Sequence, residues 1–316
     1  MILAAGLGTR MRPLSELRPK PVLPVRGLPL VAWPLAWLAR QGVREVIVNL
    51  HHLPEAARDA AARWAPPGLS LWFSEEPSLL GTGGGIRRAT SFLRESDPCL
   101  VLAGDAILDL DLAPLLARHR ARRDAATLVL RTDPRAARFG TIGIDAEDHV
   151  RRIGRRFDLG GEARAGVNVS VYLFSARGLD TLPARDAFNH LDDWLAPRLA
   201  AGARAVRGEC LEGPACIWEP VGTPAEYLAA NLQPTPVSYL DADARARELG
   251  VRLEPELVVG AGARLGADVR LRRVVVWDGE QVPAGLRAED GVFAGGRFHP
   301  VAAEVQADGS DGGRAA

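Results

Sequence analysis

The chain has 316 residues, 47% of them apolar and 25% charged. At ~150 residues per domain that points to about two domains with sizeable cores, and it excludes wholesale disorder. Thirty-nine Lys plus Arg against 39 Asp plus Glu leave no global field for nucleic acid or anionic lipid, so any anionic ligand must be held locally.

Through the first two-thirds, short β-branched or apolar runs alternate with helical stretches, the pattern of an α/β sandwich around a mostly parallel sheet. Strands are predicted over Met1 to Ala4, Glu45 to Leu50, Leu69 to Phe73, Cys99 to Ala103, Thr127 to Arg131, Thr141 to Ile144 and Val167 to Phe174. Helices are predicted over Leu30 to Arg40, Pro54 to Trp64, Gly84 to Arg94, Leu112 to Arg122, His190 to Ala200 and Pro224 to Asn231. Residues 28–39 are uncharged but carry Pro29 and Pro34 and fall short of the ~20 residues of a membrane span. A buried helix is the better reading. No basic segment followed by an apolar leader opens the chain, so a cytoplasmic location is expected. Cys99, Cys210 and Cys216 match neither a disulfide framework nor paired metal spacing.

From Gln233 to Gly250 the pattern breaks: Pro234 and Pro236 precede a charged run that reads as a linker or an exposed helix. After it Leu253, Val259, Leu265 and Leu271 recur every sixth residue. That period predicts a parallel β-helix of about two coils, with a pair of β-hairpins as the alternative. Residues 301–316 have almost no apolar mass and are expected to be disordered.

The chemistry begins at Leu3-Ala4-Ala5-Gly6-Leu7-Gly8-Thr9-Arg10-Met11-Arg12-Pro13-Leu14. A strand running into such a loop lets backbone N–H groups approach phosphate oxygens, because Gly6 and Gly8 have no Cβ in the way. A dinucleotide fingerprint would need a third Gly where Met11 stands, and a Walker A loop would need Gly-Lys-Ser/Thr; neither fits. Instead Arg18-Pro19-Lys20-Pro21 follows, placing the chain's one lysine between two prolines that restrict its backbone. A single lysine among 39 basic residues marks a position suited to a compact ammonium.

The run LAAGLGTRMRPLSELRPKPVLPV resembles the signature of sugar-1-phosphate nucleotidylyltransferases, the NDP-sugar pyrophosphorylases. The resemblance implies that Leu3, Ala4, Gly6, Gly8 and Thr9 wrap the nucleotide, Arg10 binds the triphosphate and Lys20 neutralises charge at the reacting phosphates. Leu80-Gly81-Thr82-Gly83-Gly84-Gly85 resembles the family's base-binding loop, which assigns Gly81, Thr82 and Gly83 to the nucleotide. Leu102-Ala103-Gly104-Asp105 closes an apolar strand, where a carboxylate lies on the ligand side of an open α/β sheet. In the family this Asp coordinates Mg²⁺. Arg138-Phe139-Gly140 and Ala165-Gly166 resemble sugar-side elements, contributing Gly140 and Gly166.

Two departures stand out. Trp218-Glu219-Pro220-Val221-Gly222-Thr223-Pro224 resembles the closing motif, but the second metal-ligand carboxylate is replaced by Pro220. Glu219 substitutes only if the strand is locally bulged, since a one-residue shift otherwise reverses side-chain direction. No Glu-Lys-Pro occurs around Arg152 to Asp158, which leaves Arg155 or Arg156 to supply charge for the sugar phosphate. Among the remaining polar residues, His51-His52 reads as a loop pair and Asp111 as a helix cap. Asn168 does not coincide with the family's sugar-binding Asn and is left out.

The expected architecture is therefore a Rossmann-like, GT-A-like three-layer sandwich over residues 1–232, a linker over 233–250 and a short left-handed β-helix over 251–300. The resemblance implies Mg²⁺-dependent nucleotidylyl transfer from an NTP to a sugar 1-phosphate, giving an NDP-sugar and pyrophosphate. GTP with mannose 1-phosphate is the expected pair; UTP or dTTP with another hexose 1-phosphate stays open. So does association of copies through the β-helix. Pro220 motivates a rival, a nucleotide-sugar-binding regulatory subunit of the same fold with impaired catalysis. No nucleic-acid or membrane partner is expected.

Overall fold

The computed structural model describes residues 1–302. The predicted disordered tail thus lies, beyond Ala302, outside the described residues. A 10-stranded sheet organises the first 211 residues. Across it run Ser70–Glu75, Glu45–Leu50, Ile2–Leu3, Cys99–Ala103, Arg164–Phe174, Ala126–Arg131 and Val206–Leu211. All neighbours pair parallel except Arg164–Phe174, which is antiparallel to both of its own. An antiparallel extension over Ile142–Ile144, Val150–Ile153 and Phe157–Asp158 continues from the start of that strand.

Alternation sorts the side chains onto two faces. Ile47 and Val101 join a core with Ile86, Leu93 and Trp194 on one side, while Val46, Val48 and Leu102 join one with Leu35, Ala57 and Leu115 on the other. Helices Ala32–Arg40, Pro54–Trp64 and Leu112–Arg122 supply the second face. Asp111 caps the last of these, its side chain accepting from Ala113 N–H. Register decides where the strands end: Leu3 pairs with Asn49 on one side and Ala103 on the other, so the carboxyl ends of three parallel strands coincide.

Several elements differ from expectation. Ala106–Leu110 is a strand paired antiparallel with Cys216–Pro220, and Asp105 occupies the turn before it. The predicted helix over 84–94 divides into Gly81–Arg88 and Thr90–Leu93. The stretch read as a linker or exposed helix does contain a helix, Ala242–Glu248, with only Ala246 buried; Asp241 caps it and Asp243 holds it against Arg26.

Beyond it, Leu257–Val259, Arg270–Val276 and Arg287–Ala294 pair parallel, as do Arg264–Leu265 and Gln281–Val282. Partners along these ladders are 17 residues apart, which places Arg272 opposite Glu289. Two antiparallel hairpins, Arg252–Glu254 with Leu257–Val259 and Arg287–Ala294 with Arg297–Pro300, flank these parallel ladders, so the segment combines features of both readings. Val259, Leu265 and Leu271 of the six-residue series share one apolar cluster with Val274, Val276 and Phe293. Leu253 does not: it lies on Arg252–Glu254, which runs antiparallel to Leu257–Val259. A further core joins these strands to the first part of the chain, packing Val258, Val275, Trp277 and Val292 against Met11, Leu14, Val221 and Tyr227. No helix among the described residues is long and apolar enough to cross a membrane.

Candidate active site

Where the parallel strands end, the sheet opens into a cleft of about 360 Å³. This is where open α/β sheets bind ligands. Leu3, Ala4, Gly6, Gly8, Thr9 and Arg10 line one wall. The loop closes on itself: Met11 N–H donates to Gly8 O at 2.8 Å, and the Ser15 hydroxyl donates to the same oxygen at 2.8 Å. Gly8 adopts φ +62°, a left-handed turn that favours glycine. Met11 and Leu14 are buried behind the loop and fix its base. Arg10 is exposed at the rim, opposite Gly222, where a Cβ would stand 3.4 Å from Arg10 Nη2.

Lys20 begins a single turn of 3₁₀ helix, Lys20–Val22, flanked by Pro19 and Pro21. Its ammonium reaches across the cleft to Asp105, with Nζ 2.7 Å from Oδ2. The lysine side chain is 12% exposed and the carboxylate 42%, so the carboxylate still meets solvent. Asp105 is anchored through its backbone, its carbonyl accepting from Val221 N–H at 2.8 Å.

Glu76 is the other carboxylate on the cleft, but both of its oxygens are taken. Asn49 Nδ2 donates to Oε1 at 2.7 Å and Leu80 N–H to Oε2 at 3.2 Å. Asn49 in turn accepts Ala4 N–H on Oδ1 at 2.7 Å, tying the first loop to its neighbouring strand. Asp105, paired through Oδ2 with Lys20, is thus the cleft carboxylate that keeps contact with solvent. One carboxylate with substrate phosphates and water is a donor set that Mg²⁺ accepts. Asp145, Glu147 and His149 also lie close together, but there Asp145 Oδ1 accepts the backbone N–H groups of the other two, as in a turn.

The glycine-rich segment 81–85 behaves differently from expectation. Gly81 and Thr82 line the cleft; Gly83 does not. A Cβ on Gly83 would fall 2.2 Å from the Phe188 ring, and one on Gly84 2.0 Å from Asp186 O. These glycines admit the protein's own chain rather than a ligand. The contact brings His190 to Thr82: His190 N–H donates to Thr82 Oγ1 at 3.2 Å, and the hydroxyl lies 2.7 Å from Nδ1. Burial pushes the imidazole down to about 3, so it is neutral, and Nε2 has no hydrogen-bond partner among the described residues.

Ser170 and Tyr172 complete the wall, and neither is singled out by sequence. Register shifts between Asn168 and Tyr172, and Ser170 takes φ +59°. Asn168 builds the irregularity, accepting Ser170 N–H on Oδ1 at 3.0 Å and donating to Tyr172 Oη at 2.7 Å. The residue left out on sequence grounds thus shapes the cleft from behind.

Three assigned residues are not brought to the cleft. Gly166 packs within the sheet, where a Cβ would stand 2.9 Å from Cys210 Sγ and from Leu130 Cβ. Gly140 follows the Ala136–Phe139 turn and lines no part of the cleft. Glu219 pairs with Ile107 across regular strands without the bulge required to redirect it, and its Oε2 accepts from Arg135 Nη1 at 2.9 Å. It lines a separate cavity, as does Pro220. Arg156 is likewise engaged elsewhere, 2.8 Å from Asp192. His51 and His52 face backbone oxygens of Glu76 and Ser15, which accords with a loop role.

Residues 1–235 match the family model described as nucleotidyl transferase. Mannose-1-phosphate guanylyltransferase of Mycobacterium tuberculosis is 32% identical over 303 residues, covering 92% of this chain and 82% of the relative. UTP–glucose-1-phosphate uridylyltransferase of Synechocystis is 28% identical over 211 residues, covering 63% of this chain and 54% of its own. Thus the chain spans about half the length of the second relative. The crystal structure of HddC from Yersinia pseudotuberculosis complexed with GMP-PN is 25% identical with a TM-score of 0.61, over 72% of this chain and 96% of that one.

Proposed function

Since the chain belongs to the nucleotidyl transferase family, we propose that its cleft joins an NTP to a sugar 1-phosphate, with GTP and mannose 1-phosphate as the preferred pair. The observation that carries the reading is the convergence of the Gly6–Arg10 loop, Lys20 and Asp105 on one cleft at the strand ends. In the proposed reaction an oxygen of the sugar phosphate attacks the α-phosphorus, the bond to the β-phosphate breaks, and pyrophosphate leaves. No covalent enzyme intermediate is needed. Such chemistry depends on aligning two anions and stabilising the charge that gathers between them.

Arg10, exposed at the rim, meets the β- and γ-phosphates, while Lys20 meets the α-phosphate as the charge builds. Backbone groups of Leu3 to Gly8, with Gly81 and Thr82, hold the nucleoside. Asp105, together with substrate phosphates, would hold Mg²⁺, which supplies Lewis-acid neutralisation of the phosphate oxygens. Support for guanosine comes from the guanylyltransferase relative and from the GMP-PN complex of HddC; the uridylyltransferase relative is the reason a test is needed. NDP-sugar formation is measured with four NTPs against a panel of hexose 1-phosphates. GTP with mannose 1-phosphate is expected to be fastest, and a faster pair reassigns the substrates.

The C-terminal ladders are read in the same proposal as rungs of a short left-handed β-helix through which copies associate, which a molar-mass measurement in solution tests. A second reading keeps the fold and the ligand but not full catalysis: Glu219 bound to Arg135 leaves Asp105 without a second carboxylate. Saturable NDP-sugar binding with no turnover across the panel would favour that reading.

A further inference from the structure

Arg18 stands two residues before Lys20 and is gripped by the C-terminal strands. Its guanidinium donates to Asp278 twice, Nη1 to Oδ1 at 2.6 Å and Nη2 to Oδ2 at 3.1 Å. It also lies over the Trp277 ring, 4.7 Å from the centroid. The indole is itself fixed: Trp277 Nε1–H donates to Tyr227 Oη at 3.0 Å, and the Tyr227 hydroxyl donates to Pro24 O at 2.6 Å. Both aromatic side chains are buried. One indole therefore holds the segment 18–24 at both ends, at Arg18 by stacking and at Pro24 through Tyr227. Lys20 lies between. Pro19, Pro21 and the 2.8 Å bond from Val22 N–H to Pro19 O stiffen the intervening chain.

We infer that Arg18 is a positioning residue for Lys20, and that Trp277 and Asp278 thereby make the C-terminal strands part of the device that sets turnover. The inference rests on the proposed role of Lys20 at the reacting phosphates. A two-bonded guanidinium–carboxylate pair has a defined orientation, and stacking fixes the guanidinium plane as well. The pair is partly exposed, with side-chain exposures of 29% and 51%, so its contribution to stability is small. What it supplies is placement: a shift of about 1 Å in a group at the reacting centre costs on the order of a hundredfold in rate.

The test uses the full chain as wild type, Arg18→Ala, Arg18→Lys, Asp278→Asn and the reversed pair Arg18→Asp with Asp278→Arg. Kinetics are taken with the NTP and hexose 1-phosphate selected by the panel above, beside thermal unfolding and amide hydrogen exchange over residues 18–25. In the single variants kcat is expected to fall roughly ten- to a hundredfold while each KM moves less than about threefold. Melting temperature changes little, and exchange rises within 18–25 alone. Arg18→Lys keeps the charge without the fork and does not restore kcat; the reversed pair recovers part of it. Wild-type kcat and exchange in folded Arg18→Ala would overturn the inference. So would a loss of kcat that tracks melting temperature with exchange raised throughout the chain. Exchange needs no turnover, so its outcome judges the clamp, whereas wild-type turnover in Lys20→Ala would count against the role of Lys20 itself.

Discussion

Lys20 Nζ lies 2.7 Å from Asp105 Oδ2, so the chain's single lysine and the carboxylate at the end of a central strand neutralise each other across the cleft. On the proposed reading an arriving triphosphate takes over the ammonium and frees the carboxylate for a cation. Lys20→Ala should then lower kcat by about 10²–10³-fold, the scale of losing one donor to developing charge. Unfolding free energy should change by no more than about 1 kcal/mol, because Asp105 stays in contact with solvent. Steady-state kinetics and urea unfolding of the same preparation check both halves, and a kcat within threefold of wild type removes Lys20 from the mechanism.

Asp105 and Glu219 should separate cleanly. Asp105→Asn removes the cleft carboxylate that pairs with Lys20 and still meets solvent, and is expected to raise the Mg²⁺ concentration for half-maximal activity at least about tenfold. Glu219→Gln alters a group engaged by Arg135 in another cavity and should leave that concentration unchanged. Mg²⁺ titrations of the two variants decide it. Equal shifts would mean that Glu219 reaches the metal after all.

Two glycines assigned to the same nucleotide should respond oppositely. A Cβ on Gly83 would collide with the Phe188 ring, so Gly83→Ala should cost about 1–3 kcal/mol of stability through overpacking. A Cβ on Gly6 would meet no protein atom within 4 Å, yet it would project beside the cleft. Gly6→Ala is expected to fold normally while raising KM for the NTP about tenfold, or about 1.4 kcal/mol. Unfolding curves and KM values that fail to split this way would reverse the assignment.

Acid should destabilise the protein through its buried histidines. Burial holds His190 down to about 3 and His119 to about 4, against an ordinary value of 6.5. Below pH 6.5 the unfolded chain binds protons at these sites that the native chain does not, so stability rises with pH there. Their contribution is complete above about 6.5 and is lost progressively as pH falls toward 4 and then 3. His190→Gln should flatten the loss in unfolding free energy between pH 7 and pH 5. An unchanged slope would show that His190 is not protonated preferentially in the unfolded chain.

The strand ends were the legible part of the site. An apolar run closing in Gly104-Asp105 can leave an open sheet only at its ligand-facing edge, and Pro-Lys-Pro restricts its own backbone without help from elsewhere. Asn49 and Glu76 are another matter, since their 2.7 Å bond joins a strand residue to one 27 positions on, just past the end of the neighbouring strand, and depends on register. His190 meets Thr82 across 108 residues, by way of an irregular segment that no local pattern announces. The Gly81–Gly85 run reads alike whether its close neighbour is a ligand or Phe188. Pro220 and Glu219 show the limit most plainly: alternation forecast that Glu219 needs a bulge to turn inward, and the regular ladder to Ile107 and Ala106 contains none.

Pyrophosphate release by the purified full chain tests the central claim most directly. It is measured with GTP alone, with mannose 1-phosphate alone, with both, and with both after EDTA, alongside the other NTPs and hexose 1-phosphates. Release that requires an NTP together with a sugar 1-phosphate and stops on chelation is the expected result. No release from any pair, from a preparation that still binds NDP-sugar saturably, would contradict it.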